Sequence, residues 1–186
     1  MNLDCQSHLL KNYFDLLNRV DAHIQQVEKN YPGKIACKKG CDSCCRPINL
    51  FPVEAVALSA AFGKLDKFSK ELVMAGLEKK AKDCPLLINR QCLLYGARPI
   101  ICRTHGYPLY FKKKIKSMVD FCPKNFKGVT SFPREALLDL EQLNILLTAI
   151  NKQFLVSIET TKPIADRIPV SKALGLLDEI KGDWFL

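Results

Sequence analysis

Eight of the nine cysteines lie between residues 37 and 122, and their spacing is that of thiolate ligands. The tight group is Cys37-x3-Cys41-x2-Cys44-Cys45, written CKKGCDSCC. Zinc and iron–sulfur sites use thiolates two to four residues apart, because a tight turn then aims successive sulfurs at one point. Gly40 sits inside that loop, where a positive φ is useful. Lys38 and Lys39 bring positive charge beside the thiolates. The wider group is Cys84-Pro85, Cys92, Cys102 and Cys122-Pro123. Cys-Pro is familiar from iron–sulfur ligand runs, where it ends the loop. Cys44 and Cys45 are adjacent, so their side chains point in different directions in either a helix or a strand. They do not easily serve one tetrahedral ion. Either there are two sites, with the eight cysteines divided into two four-thiolate sets, or one of the pair is a thiol outside the coordination. Seven cysteines plus His105 is a further arrangement. The competing reading is a set of buried apolar thiols that bind nothing. Eight cysteines in 86 residues weigh against it. For Cys5, outside the cluster, it prevails.

The redox setting agrees with metal ligation. The N-terminus reads MNLDC, with no basic segment followed by an apolar one, so no secretory signal is visible. No run approaches 18 apolar residues, so no transmembrane helix is expected. The expectation is a cytoplasmic protein with no membrane partner, in a compartment that keeps thiols reduced. Nine cysteines in 186 residues are too sparse, and odd in number, for a disulfide scaffold.

Other residues near the cysteines admit two readings each. Arg98 and Arg103 flank Cys102; they either neutralise a dianionic four-thiolate centre or cap local carbonyls. His105 is a ligand, a proton shuttle or a surface histidine, the last being favoured. Lysines 79, 80, 82, 112, 113, 114, 116, 124 and 127 make a basic region in a chain of net charge +9. A solvated face is favoured there over nucleic-acid contact, because aromatic interleaving is limited to Tyr107, Tyr110 and Phe111. Nucleic acid thus stays open as a partner without being favoured, and no protein partner is identified. No Ser/His/Asp grouping, phosphate-cradling glycine loop or dinucleotide fingerprint is present. Cys37-x3-Cys41-x2-Cys44 is also the ligand spacing of radical S-adenosylmethionine enzymes. Those need a run of strand–helix units that this chain lacks.

The elements that must position these residues follow from periodicity. Leu9, Tyr13, Leu16, Val20, Ile24 and Val27 form one stripe and predict a helix over 8–30, stopped by Tyr31-Pro32-Gly33. Ala136, Leu140, Leu143, Leu147, Ile150 and Phe154 predict a second over 134–155, with Pro133 at its first turn. Between them the elements look short. A helix over Pro52–Phe62 opens with proline. Another over 69–82 is opened by Ser69 as cap. Cys92–Tyr95 reads as a strand, and Tyr107–Phe111 with Ile115–Phe121 as a hairpin across three lysines. The tail reads as a short helix near 171–181. The fold expected over residues 1–186 is a small, mainly α single domain. Two long amphipathic helices pack on a loop-rich cysteine region with minor short strands. Such a region is poor in local order, and bound metal supplies the missing constraint.

CKKGCDSCC, CPLL, QCLLYGARPIICRTHG and FCP together resemble the CxxCxxCC cysteine-cluster family, the zinc- or iron-chelating domain of YkgJ-like proteins, over roughly residues 36–125. The Arg98-Pro99-x2-Cys102-Arg103 block falls at the right distance from the opening. One departure is the spacing of three residues, not two, between Cys37 and Cys41. The resemblance implies metal chelation by Cys37, Cys41, Cys44, Cys45, Cys84, Cys92, Cys102 and Cys122, with zinc or iron as cofactor, an iron–sulfur cluster included. It implies no settled activity. The cluster also resembles, more distantly, that of the longer flagellin lysine N-methylase, which implies an iron–sulfur redox or methyl-transfer enzyme as one alternative. A zinc-stabilised module for nucleic acid or an acidic protein is another.

Overall fold

The structure is a computed structural model that describes residues 8–38, 40–78, 83–160 and 163–181. Cys5, Lys39, Lys79, Lys80 and Lys82, singled out above, lie outside the described residues. About half of the chain is helical, with six helices and short strands among the described residues. None of these helices is long and apolar enough to cross a membrane.

The first long helix, α1 (Lys11–Asn30), follows a 3-10 turn at His8–Leu10 and buries Tyr13, Leu16, Leu17, Val20 and Val27. This is the predicted stripe, widened by Leu17. It ends at Tyr31, whose N–H reaches the Val27 carbonyl, and Gly33 follows at φ +70°, a conformation that costs glycine nothing. A two-residue strand β1 (Asn49–Leu50) then leads into α2 (Pro52–Gly63). This helix is apolar on nearly every side, with Val53, Ala55, Val56 and Leu58 all at or below 1% exposure. A helix hydrophobic all round belongs inside a molecule, and α2 is indeed its central element. Each such valine or leucine contributes about 1.5–3 kcal/mol by burial.

Helix α3 (Lys67–Glu78) is opened by Asp66 instead of Ser69. The Asp66 carboxylate accepts from both the Ser69 N–H, at 2.9 Å, and the Ser69 hydroxyl, at 2.6 Å. Asp is as good an N-cap as Ser and sits at the correct position. The segment read as a strand at Cys92–Tyr95 divides. Strands β2 (Leu87–Ile88) and β3 (Gln91–Cys92) form a tight antiparallel pair, and Tyr95–Ala97 is a 3-10 turn. Helix α4 (Ile100–Thr104) carries Cys102. The lysine hairpin exists as β4 (Leu109–Lys113) and β5 (Lys116–Asp120), turning at Lys114, φ +59°.

The second long helix begins later than its stripe predicts. Residues Arg134–Ala136 form a 3-10 turn, so Pro133 precedes that turn and not the helix. Leu138 and Asp139 form β6, paired in parallel with Leu109 and Tyr110 of β4. Only then does α5 (Leu140–Val156) start, capped by the Asp139 carboxylate, which accepts from the N–H groups of Glu141 and Gln142 at 3.0 Å each. The strand pairing uses backbone groups that a helix over 134–139 would need. Strands β7 (Glu159–Thr160), β8 (Ile168–Pro169) and β9 (Ile180–Lys181) are two residues each; β8 pairs with β1 and β7 with β9. The tail helix is shorter than expected, α6 (Val170–Ala173) with a 3-10 turn at Leu176–Glu179.

Helices α1 and α5 pack against each other, and α2 packs on α5 and α6. Leu16, Leu17 and Val20 meet Leu147, Phe154 and the whole of α2 in one core, against which Cys84 and Cys92 lie half-buried. A second, smaller core joins Val27, Tyr107, Phe126, Ala136 and Leu138. Phe126 and Phe132 meet there edge-to-face, with centroids 5.0 Å apart, a favoured aromatic geometry. The cysteine loops run between these two cores.

Candidate metal centre

Each cysteine is held by local backbone geometry. The Cys41 N–H returns to the Lys38 carbonyl at 2.9 Å and the Cys45 N–H to the Asp42 carbonyl at 2.9 Å, so CKKGCDSCC is two successive turns. Gly40, at φ +95°, permits the first. Arg90 brackets the second through Asp42, with Nε 2.8 Å from the carboxylate. The Cys84 N–H donates to the Cys45 carbonyl at 3.3 Å, stitching the wider group to the tight one. The β2–β3 pair then brings Cys92 opposite Leu87, whose N–H binds the Cys84 carbonyl at 3.0 Å. Cys102 sits in the first turn of α4.

Seven of the eight clustered thiols, all but Cys122, line one cavity of about 510 Å³ between α1, α4 and the cysteine loops. A Cβ placed on Gly106 would lie 3.1 Å from Cys37 Sγ and 3.3 Å from Cys122 Cβ, so these two cysteines meet across that glycine. Gly106 adopts φ +97° and is the only residue type that fits there without strain. All eight thiols are free, and Cys44 is the exposed one. As placed, no group of three or more His, Cys, Asp or Glu side chains among the described residues is arranged to hold a metal ion.

Burial governs their chemistry. It raises the pKa of Cys37, Cys44, Cys45 and Cys84 above the ordinary thiol value. It pushes Cys92 to about 11 and Cys102 to about 12, and neighbouring thiolates add to both shifts. A thiol desolvated this way stays neutral until something positive displaces its proton. Neutral sulfurs gathered in a roomy cavity are a donor set that fits a thiophilic cation, since zinc and iron–sulfur centres take deprotonated cysteine.

Arg98 and Arg103 divide between the two readings. Arg103 is 8% exposed and is fully engaged. Its Nη1 binds both carboxylate oxygens of Asp21 on α1, at 2.9 and 2.7 Å, and its Nε binds the Arg98 carbonyl at 2.7 Å. It is a bolt between α4 and α1. Arg98 caps the Tyr95 carbonyl at 3.0 Å and lies over the Tyr95 ring, yet its charge also favours the thiolates of Cys92 and Cys102. His105 is exposed at the cavity rim. The four hairpin lysines 112, 113, 114 and 116 are exposed, and Lys124 reaches the Ser43 hydroxyl at 3.0 Å.

Two site residues escaped the sequence reading. Asn125 is 1% exposed. Its Oδ1 accepts from the N–H groups of Ala36 and Cys37 at 2.9 and 3.2 Å, and its Nδ2 donates to the Gly106 carbonyl at 2.8 Å. The same Nδ2 lies 3.5 Å from Cys37 Sγ and favours that thiolate. Its only sequence signal is its place three residues after Cys122. Glu54 on α2, 4% exposed, accepts from the N–H of Phe51 and of Ile100 at 3.2 and 3.1 Å. It joins the starts of α2 and α4, and a Glu at the third helical position, two residues after Pro52, was the available sign.

No curated protein and no solved structure matches the chain. Residues 36–123, the segment holding all eight clustered cysteines, match the model of the CxxCxxCC family, described as a "putative zinc- or iron-chelating domain".

Proposed function

We propose that this chain is a metal-chelating protein that holds zinc or iron through Cys37, Cys41, Cys44, Cys45, Cys84, Cys92, Cys102 and Cys122. The observation that carries the reading is the convergence itself. Seven thiols from segments up to 65 residues apart line one cavity of about 510 Å³, and the eighth abuts one of them at Gly106. The reading takes the 186 residues as one domain whose two cores hold the cysteine loops in place. When bound, the metal supplies Lewis acidity or, as an iron–sulfur cluster, one-electron chemistry. The chain's own residues supply the thiolates, the charge of Arg98 and the apolar wall that limits water. Anaerobic purification followed by elemental analysis and a visible spectrum tests the proposal. Stoichiometric zinc with an empty spectrum, or iron with absorption near ~400 nm, is the expected outcome. Protein free of both metals overturns it.

A further inference from the structure

The β4–β5 hairpin breaks local rules that nothing else in the fold offsets. Its two-residue loop, Lys114–Ile115, joins the paired residues Lys113 and Lys116. Loops of this length favour glycine or asparagine where φ is positive, yet Lys114 holds φ +59°. Lys113 and Lys116 stand directly opposite each other, and like charges so placed are destabilising. Ile115 is fully solvated, at 102% exposure, and belongs to neither core. Where a sequence breaks local rules without gain inside the fold, a functional site is the expected reason.

The hairpin is rooted at one end and free at the other. Leu109 packs on the smaller core, and the parallel pairing to β6 covers only Leu109 and Tyr110. Beyond them the ladder is two-stranded, and residues 112–120 are all exposed. Lysines 112, 113, 114 and 116 surround Ile115, and none of them forms an ion pair with a described residue. No acidic residue lies between Leu109 and Val119 in the sequence. We propose that this hairpin docks the protein on an anionic membrane surface, with Ile115 entering the headgroup layer and the lysines around it facing the lipid charges. Such docking needs no spanning helix, and it departs from the expectation of no membrane partner. It is independent of the chelation reading.

An apolar tip inside a collar of cations matches the surface of an anionic bilayer. Its headgroups attract lysine, and apolar side chains reach the boundary beneath them. Single-stranded nucleic acid calls for free aromatic faces, and the hairpin's two aromatic residues are otherwise engaged. The Tyr110 hydroxyl lies 3.1 Å from the Ser117 hydroxyl, and Phe111 lines a groove against α5. An acidic segment of a partner protein calls for a recess, whereas Ile115 projects. At its other end β5 leads through Phe121 to Cys122, so docking holds this part of the cysteine region close to the bilayer.

Co-sedimentation of the full chain with lipid vesicles tests the proposal. Wild type is expected to pellet with phosphatidylcholine vesicles that contain phosphatidylserine, to ignore phosphatidylcholine alone, and to be released as salt rises. Lys113→Gln/Lys116→Gln removes the opposed charges, so it is expected to melt no lower than wild type. It is expected to bind about 25-fold more weakly, at about fivefold per lysine. Ile115→Ser keeps every charge and is expected to bind about tenfold more weakly with the same salt dependence. Lys64→Gln/Lys67→Gln, at exposed lysines outside the hairpin, lowers the net charge equally and is expected to bind as wild type. Wild type that stays in solution beside phosphatidylserine vesicles at low salt overturns the proposal. So does a Lys64→Gln/Lys67→Gln protein that loses as much binding as the hairpin double, and so does undiminished binding by the hairpin double or by Ile115→Ser. Wild type that ignores the vesicles but is retained on polyuridine or polyglutamate also overturns it, and gives the lysines to nucleic acid or to an acidic protein.

Discussion

Asn125 uses both ends of its amide on the backbone around Cys37, holding the N–H groups of Ala36 and Cys37 and the carbonyl of Gly106. Replacing it with alanine leaves those buried groups without partners, at about 1–3 kcal/mol for each unsatisfied group. Asn125→Ala is therefore expected to lower the urea midpoint clearly and to weaken metal retention. An unchanged midpoint would mean that water replaces the amide. Gly106 is constrained by its surroundings as well as its backbone. A methyl group there meets Asn125 Nδ2 at 3.0 Å and Cys37 Sγ at 3.1 Å, at φ +97°. Gly106→Ala is expected to cost about 1–3 kcal/mol in chemical denaturation, whereas Gly96→Ala, with open space around it, serves as the mild control. Neither Asn125 nor Gly106 was legible in the sequence as a site residue. Their roles depend on contacts with Cys37 made 88 and 69 residues away along the chain. The cysteines themselves were legible, because their type and local spacing carry the chemistry directly.

At the level of elements, Glu54 and Arg103 tie the helices to the site. Glu54 accepts from N–H groups at the starts of both α2 and α4. Burial raises its pKa, against the pull of those two hydrogen bonds. A carboxyl that binds its proton more tightly when folded stabilises the native state fully below its unfolded pKa, and that contribution is lost as pH rises through the folded value. Glu54→Gln carries no such titration. The stability of wild type relative to Glu54→Gln is thus expected to fall as pH rises above the ordinary carboxylate range. Denaturation of both proteins across pH 4–8 measures it, and parallel curves would count against a raised pKa. Removing one partner of the Arg103–Asp21 bridge strands a charge that is 8% exposed on the arginine side. Asp21→Ala is expected to cost about 3 kcal/mol, in the range for broken buried pairs, reduced in so far as Asp21 is partly exposed. The stripes that predicted α1 and most of α5 were sound, since amphipathic periodicity reports directly on burial. The six-residue error at the start of α5 arose because β6 takes up the backbone of Leu138 and Asp139 in a long-range parallel pairing. A stripe cannot reveal such a pairing. Helix α2 was found as an element, but its centrality was not expected, because an all-round apolar helix has no stripe to point inward.

Across the whole molecule, the cysteine region is better supported than its short elements suggest. Helix α2 lies within it and is core, so removing metal leaves α1, α2 and α5 packed. The segments at risk are the turns at 37–45, the β2–β3 pair and the stretch through Cys122. Each carries several ordered residues with little burial of its own, and its backbone entropy of about 1–2 kcal/mol per residue has to be offset by other interactions. In zinc-finger peptides, metal bound by cysteine and histidine contributes about 10–16 kcal/mol, ample for that task. The central claim is that metal, held by these thiols, performs it. Thermal melting of wild type with and without a strong chelator, beside Cys41→Ser/Cys102→Ser and Cys5→Ser, tests it most directly. The chelator is predicted to lower the wild-type Tm by about 10 °C or more, given roughly 2–4 °C per kcal/mol at this size. The double variant, with two of the proposed ligands lost, is predicted to melt near that lower temperature and to ignore the chelator. Cys5→Ser is predicted to behave as wild type. A single Tm shared by all these samples, with chelator and without, would contradict the account.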